Sequence, residues 1–236
     1  MKNAIKKVID ILISRRIKFF IFKTLLFFNK KTYNYMTNIA MLLEGDGKHP
    51  KHRIMKYREW FSENIESKWV VLDVGCHNGH MTYFLSNYCS FIYGIEIVKK
   101  NFDEAIKNNS KKNIEYIHAD ATSFNFTAQK IDCITLSNVL EHIENREFFL
   151  KRIISNINWV KSLRLLIRVP MIDRDWLPVY QDELGLDYRL DATHFTEFTF
   201  KSFEQLLNDC DIKIDSFHIQ WGEIYANCVI KDDVEK

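Results

Sequence analysis

The chain has 236 residues, 47% of them apolar, with 33 Lys and Arg against 31 Asp and Glu. That length suits one α/β domain with a small appendage rather than two full domains, and the apolar share is ample for a core. The charge is uneven: residues 1–31 hold nine Lys and Arg against Asp10 alone. The remainder is therefore acidic, by about six charges, which argues against a nucleic-acid substrate, since such enzymes ordinarily present a basic face. The five cysteines, Cys76, Cys89, Cys133, Cys210 and Cys228, show no C-x-x-C pairing and mostly lie in apolar contexts. They read as reduced, buried thiols of a cytosolic protein, not as zinc ligands or a nucleophile.

Residues 1–31 form a basic amphipathic segment. Ile5, Val8, Ile9 and Leu12 fall at helical spacing, and Phe19, Phe20, Phe22, Leu25, Leu26, Phe27 and Phe28 follow among Arg15, Arg16, Lys18 and Lys23. No charge-free run approaches the roughly 20 residues that span a bilayer, and no signal-peptide core with a small-residue cleavage site is present. Such a helix can lie in a membrane interface, at the inner face for a cytoplasmic protein, or pack on the domain or a partner chain. Residues 32–69 form a helical lead-in or cap, with a break at Glu44-Gly45-Asp46-Gly47 and a helix from about Pro50 to Ile65.

The main domain, 70–236, begins with VVLDVGCHNGH at Val70 to His80. Val70, Val71, Leu72 and Val74, interrupted by Asp73, predict a strand buried on both faces, followed by a turn with Gly75 and Gly79 and a helix from His80 to Tyr88. A strand, a tight glycine turn and a helix N-terminus let backbone N–H groups approach a ligand closely, although an ordinary βα turn has the same pattern. Next come a strand from Phe91 to Ile95 ending at Glu96, a helix over Lys99 to Asn109 and a strand from Ile114 to Ala119 ending at Asp120. A fourth strand runs from Ile131 to Leu136 and ends at Ser137, a helix covers Arg146 to Trp159, and a fifth strand, Leu163 to Val169, is stopped by Pro170. Alternation at this spacing predicts right-handed crossovers and a parallel sheet covered on both faces, with ligands at the carboxyl ends of the strands. A helix over Lys201 to Cys210 and two strands, Ile212 to Ile219 and Ile224 to Ile230, close the chain, the strands as an antiparallel hairpin around Trp221-Gly222.

The glycine turn is not a dinucleotide fingerprint, because His77 stands where the middle glycine of G-x-G-x-x-G would be. Asp73, Val74, Gly75, Cys76 and Gly79 instead match D-x-G-C-x-x-G, and this stretch resembles the first motif of class I S-adenosylmethionine (SAM)-dependent methyltransferases. The resemblance covers about Val70 to Ile230. It implies a Rossmann-like, mostly parallel seven-stranded sheet with helices on both faces, carrying an N-terminal helical extension, with SAM as cofactor. It places Asp73, Gly75, Cys76, His77 and Gly79 around the cofactor, and Glu96, followed by Ile97, at the ribose hydroxyls. It also implies that Asp120 and Ala121 hold the adenine and that Ser137 and Asn138 line the methionine moiety. Taken alone, Glu96 reads equally as a surface carboxylate, and Asp120 as a helix N-cap.

The acceptor side falls to Met171 to Phe198, a stretch rich in Asp, Tyr, Trp and Arg with little apolar periodicity. His194 is its one histidine and reads as a general base or acceptor-binding residue, with Asp191 to orient it; loop packing is the alternative. Glu141 and His142, after the fourth strand, either fix the loop or serve substrate or metal, and His142 joins the candidate catalytic set. The acceptor is expected to be a small molecule, lipid- or sugar-linked, with an O- or N-nucleophile; nucleic acid is disfavoured, and the oligomeric state stays open. The reading assigns no resident metal. One alternative is a metal-assisted RNA 2′-O-methyltransferase, since the small-RNA terminal enzymes carry Glu-x-x-Glu-His and a later His as metal ligands. Asn138-x-x-Glu141-His142 and His194 are similar to that set, but Asn replaces the first Glu. The other alternative is a non-catalytic SAM-binding or membrane-adaptor protein.

Overall fold

The computed structural model describes residues 14–45, 49–126, 130–159 and 162–231. The chain divides between Lys56 and Tyr57 into two compact units. In the first, helix α1 runs unbroken over Arg15–Leu43 with none of its side chains buried, and a short α2 follows at Lys51–Met55. Arg53 reaches Glu44 with two guanidinium hydrogen bonds, 2.7 and 3.1 Å. The boundary expected at residue 31 falls inside α1, because Lys30 and Lys31 continue a helix as readily as they end one. The boundary expected at residue 69 moves to Tyr57, since α3 (Tyr57–Glu63) belongs to the second unit and buries Phe61 fully. Residues 1–13 of the expected basic helix lie outside the described residues.

The second unit holds a seven-stranded sheet in the order β3-β2-β1-β4-β5-β7-β6. The strands are β1 Val70–Val74, β2 Phe91–Glu96, β3 Ile114–His118, β4 Cys133–Ser137, β5 Ser162–Pro170, β6 Lys213–Gln220 and β7 Glu223–Lys231. The first five are parallel, and β7 enters antiparallel between β5 and β6. Helices α4 (His80–Leu85), α5 (Lys99–Asn108), α6 (Arg146–Ser155), α7 (Trp176–Glu183) and α8 (Phe200–Asn208) complete the unit. This is the mostly parallel Rossmann-like sheet expected from the alternation of elements.

Strand side chains alternate between two cores, as the period of two requires. Val71, Ile92, Cys133 and Leu166 pack with Phe61 and Leu85 on one face. Leu72, Val74, Ile134, Leu136, Leu165 and Ile167 pack with Phe149, Ile153 and Phe203 on the other. The strand order runs outward in both directions from the β1–β4 pair, so a crevice opens at the carboxyl ends of these two strands.

Pro170 does not stop β5 but ends it, opposite Glu223, where a residue without an N–H is tolerated. Two helices are shorter than expected, α4 ending at Leu85 and α6 at Ser155. Trp221 and Gly222, both at positive φ (56° and 72°), close the β6–β7 hairpin in the handedness that two-residue hairpin loops favour.

At the end of β5, Arg168 is buried and paired with Glu223 through two hydrogen bonds of 2.5 and 2.8 Å. Its guanidinium also donates to the Ser137 hydroxyl at 3.2 Å and lies 4.2 Å from the Tyr57 ring centroid. This pair ties β4, β5, β7 and α3 together beneath the crevice. Removing one member of a buried ion pair strands the other without its counter-charge, at a cost of about 3–5 kcal/mol. Glu223→Ala should lower the free energy of unfolding by about that amount, read from urea titration followed by circular dichroism.

Candidate active site at the strand ends

The turn after β1 is held by its own backbone. The amides of Gly75 and Cys76 both donate to the Ile95 carbonyl, at 2.9 and 3.0 Å, and Gly79 N–H donates to Cys76 at 2.9 Å. Gly75 has φ +69°, and a Cβ there would sit 3.1 Å from Val139 Cγ2. Gly79, at φ +78°, is buried, and a Cβ would meet the Tyr116 ring at 2.9 Å and the Ala105 methyl at 3.0 Å. Gly79 therefore lets α4 close down on β3 and α5, while Gly75 and His77 are the exposed parts of the turn.

Two residues expected around the cofactor are spent inside the protein. Asp73 is 1% exposed, and its oxygens accept from Thr82 Oγ1 at 2.6 Å and Thr135 Oγ1 at 2.8 Å. Each oxygen has a hydroxyl donor, so Asp73 braces β1 against α4 and β4. Cys76 is buried beside Gly94, its amide and carbonyl are both bonded within the turn, and burial pushes its thiol well up. Both residues thus serve the frame of the turn with their side chains.

The remaining residues line up along the strand ends. Glu96 accepts from His77 N–H at 2.9 Å through Oε2 and from Val98 N–H at 2.7 Å through Oε1. One lone pair on each oxygen remains for further donors. Ile97 follows with 59% exposure, an apolar surface at the mouth of the crevice. Asp120 folds the post-β3 turn by accepting from Thr122 N–H and Oγ1 through Oδ1, at 2.8 and 2.7 Å. The half-buried Ala121 is next to it in that turn. Ser137 accepts from Arg168, and Asn138, at φ 55°, has a buried Oδ1 with no hydrogen-bond donor. Asp120, Glu96, Gly75 and Ser137 thus mark four neighbouring strands, a row about 14 Å long at ordinary strand spacing.

The acceptor-side residues gather around a 3₁₀ turn at Leu140–His142. Phe195 N–H donates to the Glu141 carbonyl at 2.7 Å, which brings His194 alongside. The His142 and His194 rings are 4.7 Å apart at 80°. Asp191 does not orient His194, contrary to expectation. Its carboxylate accepts from Thr193 N–H and Oγ1 at 2.8 and 2.7 Å, and Thr193 Oγ1 in turn meets His142 Nδ1 at 3.0 Å.

Glu197 takes the orienting place, with Oε1 3.1 Å from His194 Nδ1. It is fixed by Leu190 N–H at 2.6 Å and by the Arg174 guanidinium. Burial raises its carboxyl, but the bonds from His194, Leu190 and Arg174 outweigh that and hold it below the usual range. In the sequence Glu197 is marked only by its position three residues after His194. Glu141 is fully buried with no donor to either oxygen, and burial pushes its carboxyl up to about 7.

A family profile described as "Methyltransferase domain" matches residues 72–155, the stretch from β1 to α6. Over this stretch, about a third of its length, the chain is similar to a methyltransferase domain. S-adenosylmethionine is the cofactor such a domain takes. A curated relative from Methanococcus vannielii, named as a probable cobalt-precorrin-6B C(15)-methyltransferase (decarboxylating), is 32% identical over 116 residues, 45% of this chain. The match spans 64% of that relative's own length.

Among solved structures, magnesium protoporphyrin IX methyltransferase from Synechocystis with bound S-adenosylhomocysteine superposes with a TM-score of 0.57 at 16% identity, over 76% of this chain and 82% of that one. A SAM-dependent methyltransferase from Aquifex aeolicus gives 0.59 at 12% identity, over 77% and 93%. At these identities the likeness is one of fold.

Stability reports on one titration at the end of β1. Burial lifts the Asp73 carboxyl from an ordinary 3.8 to about 6. The folded state therefore binds this proton more tightly than the unfolded one. The stability this provides is fully present below about pH 3.8 and is lost as the pH rises through about 6. Asp73→Asn removes the titration, so between about pH 4 and 7 the stability difference should move in the variant's favour by on the order of 2 kcal/mol. Urea midpoints of both proteins across that range check it, and a constant difference would refute the shift.

Proposed function

We propose that the protein is a SAM-dependent methyltransferase acting on a small-molecule acceptor, with lipid- or sugar-linked hydroxyl or amine compounds as the favoured class. The observation that carries the reading is Glu96. It is a buried carboxylate at the end of β2, held by one backbone donor from the glycine turn, His77, and one from the connection after β2, Val98, with acceptor capacity to spare. A carboxylate so held can accept two ribose hydroxyls, with Ile97 offering an apolar face to the base and Asp120 and Ala121 beyond it. Ser137 and Asn138 take the methionine end.

Methyl transfer from a sulfonium is an in-line displacement in which the donor already carries its activating charge. The protein's task is alignment and exclusion of water, and alignment of this sort is worth about 7–11 kcal/mol of barrier. The nucleophile's lone pair forms the new bond to the methyl carbon as the carbon–sulfur pair returns to sulfur, leaving S-adenosylhomocysteine. A hydroxyl acceptor must also lose its proton, on the side where Glu141, His142 and His194 gather.

The N-terminal unit is proposed to rest on an anionic membrane surface. Ile17, Ile21, Leu25, Phe28 and Ile39 form an exposed stripe on α1 at spacings of three, four and eleven, with Arg16, Lys23 and Lys30 at seven-residue intervals on the other side. Thr24 and Thr32 hydroxyls bond back to the Phe20 and Phe28 carbonyls at 3.0 and 2.9 Å, which satisfies them in an apolar setting. Among the described residues no helix is long and apolar enough to cross a membrane.

Two outcomes test the reading. Glu96→Ala should weaken S-adenosylhomocysteine binding tenfold or more by calorimetry, since hydrogen bonds to a charged acceptor contribute about 1.5–3 kcal/mol each. Absence of binding by the folded wild type would overturn the assignment. Full-length protein should sediment with phosphatidylserine vesicles, and Ile21→Asp with Phe28→Asp should abolish this without changing S-adenosylhomocysteine affinity. Equal sedimentation of variant and wild type would refute the surface role.

A further inference from the structure

Strand β6 is the last strand of the sheet, and its outer edge has no strand partner among the described residues. On an edge strand alternate residues turn their backbone N–H and C=O groups outward, where another strand can take them up. Natural edges are ordinarily blunted by lysine, proline or a bulge within the strand. Here the bulge lies between Ile214 and Ser216, near the start, and Asp215 within it is paired with Arg164 at 2.7 Å. From there to the turn at Trp221-Gly222 the run Ser216-Phe217-His218-Ile219-Gln220 contains no lysine, arginine, carboxylate or proline. It pairs with β7 without a further shift, so these residues form a regular edge that nothing defends.

The two faces of this run differ. Phe217 and Ile219 oppose Ala226 and Ile224 on the face covered by α8, and they are 48% and 51% exposed. Phe217 stacks on Phe200 with ring centroids 4.2 Å apart at 24°, which holds the ring in place. On the face of α3, His218 stacks on Tyr225, 4.7 Å away at 13°, and meets the Trp60 ring at 5.9 Å. Two apolar side chains thus stand half exposed on one face, two residues apart, beside open backbone.

We propose that β6 is the interface of a homodimer, pairing antiparallel with β6 of a second copy about a twofold axis at His218. The occupant is a second copy because the run is complementary to itself. Side chains opposite each other in an antiparallel pair share a face, so a twofold register must set one residue against its own copy. Centred on His218, the register sets Phe217 against Ile219 of the second copy, twice over, and Ser216 against Gln220, so that the whole run is paired. Centred on Phe217 it meets the bulge, and centred on Ile219 it meets the turn, one residue to either side of the shorter paired stretch. An aromatic ring against a β-branched side chain is a favourable cross-strand pair, and no like charges oppose each other within the run. Strand β6 runs parallel to β1–β5, since β7 is antiparallel to both β5 and β6. The carboxyl ends of the second copy's strands therefore open at the opposite edge of the joined sheet, and the two crevices share no residue.

The test follows the full chain by sedimentation equilibrium over a concentration series, with a circular dichroism spectrum of every variant. Wild type should approach twice the chain mass at high concentration and dissociate on dilution. Ile219→Lys and Phe217→Glu should each weaken self-association about tenfold or more with the spectrum unchanged, because either change spoils both cross-strand pairs at once. Mixing the two variants in equal amounts should restore association, since the register sets the new carboxylate of one against the new ammonium of the other. A wild type that stays monomeric at every concentration overturns the proposal, even if β6 takes up a strand of another protein. Association unchanged in both single variants overturns it by placing the contact elsewhere, and a mixture no stronger than its parts overturns the register. Should Phe217→Glu fail to fold, His218→Cys decides. Opposed residues of an antiparallel pair are about 4.5–5.5 Å apart between Cα atoms, within disulfide range, so mild oxidation should link the copies in His218→Cys and not in Gln220→Cys. A folded His218→Cys that does not link overturns the proposal.

Discussion

The buried Asp73 carboxylate is the constraint on which the strand-end site depends. It sits where β1, β4 and α4 meet and receives one hydroxyl from α4 and one from β4. Those two bonds fix the exit direction of β1, so the next two amides can converge on the Ile95 carbonyl. That convergence sets Gly75 and His77 at positive φ and brings the His77 amide onto Glu96. A displaced Asp73 would misplace the β2 carboxylate without touching it.

Three buried carboxylates near the crevice show how one functional group takes three jobs from its donors. Asp73 is satisfied by side-chain hydroxyls and has structural work only. Glu96 is half satisfied by backbone amides, which anchors it yet leaves lone pairs turned outward. Glu141 has no donor to its side chain and stays in place through its backbone, whose carbonyl accepts from Phe195. Burial alone would rank the three alike, and the identity of the donors separates them.

Most of the sheet was legible in the chain because β-prone runs such as Val70–Val74 and Cys133–Ser137 are buried on both faces and read as continuous apolar stretches. The row Glu96, Asp120, Ser137 and Asn138 was legible for a related reason: each is a polar residue or pair at or just after a strand end. Inward or outward orientation was not legible. Asp73 and Cys76 match a ligand-binding motif, but a motif gives spacing, and only the packing of Thr82, Thr135 and Gly94 reveals that both side chains are buried and engaged within the protein. The partner of His194 was misread because Asp191 and Glu197 both lie three residues from it. The choice between them is made by Arg174, twenty residues upstream, which draws Glu197 inward. The segment boundary expected after residue 31 falls inside α1 because helix continuity across a charged pair depends on the residues beyond it.

The stretch from Met171 to Phe198 leaves and re-enters the sheet at a single point. Phe198 N–H donates to the Pro170 carbonyl at 3.0 Å, and Ile172 N–H donates to the Phe198 carbonyl at 3.0 Å. A loop pinched shut at its base is a natural cassette. Its tip, including α7, can change in length or sequence while β5 and α8, which frame it, keep their places. A change at the tip therefore alters what stands over the strand ends while the sheet beneath is left as it is. The Glu197–His194 contact marks where the exchangeable part ends.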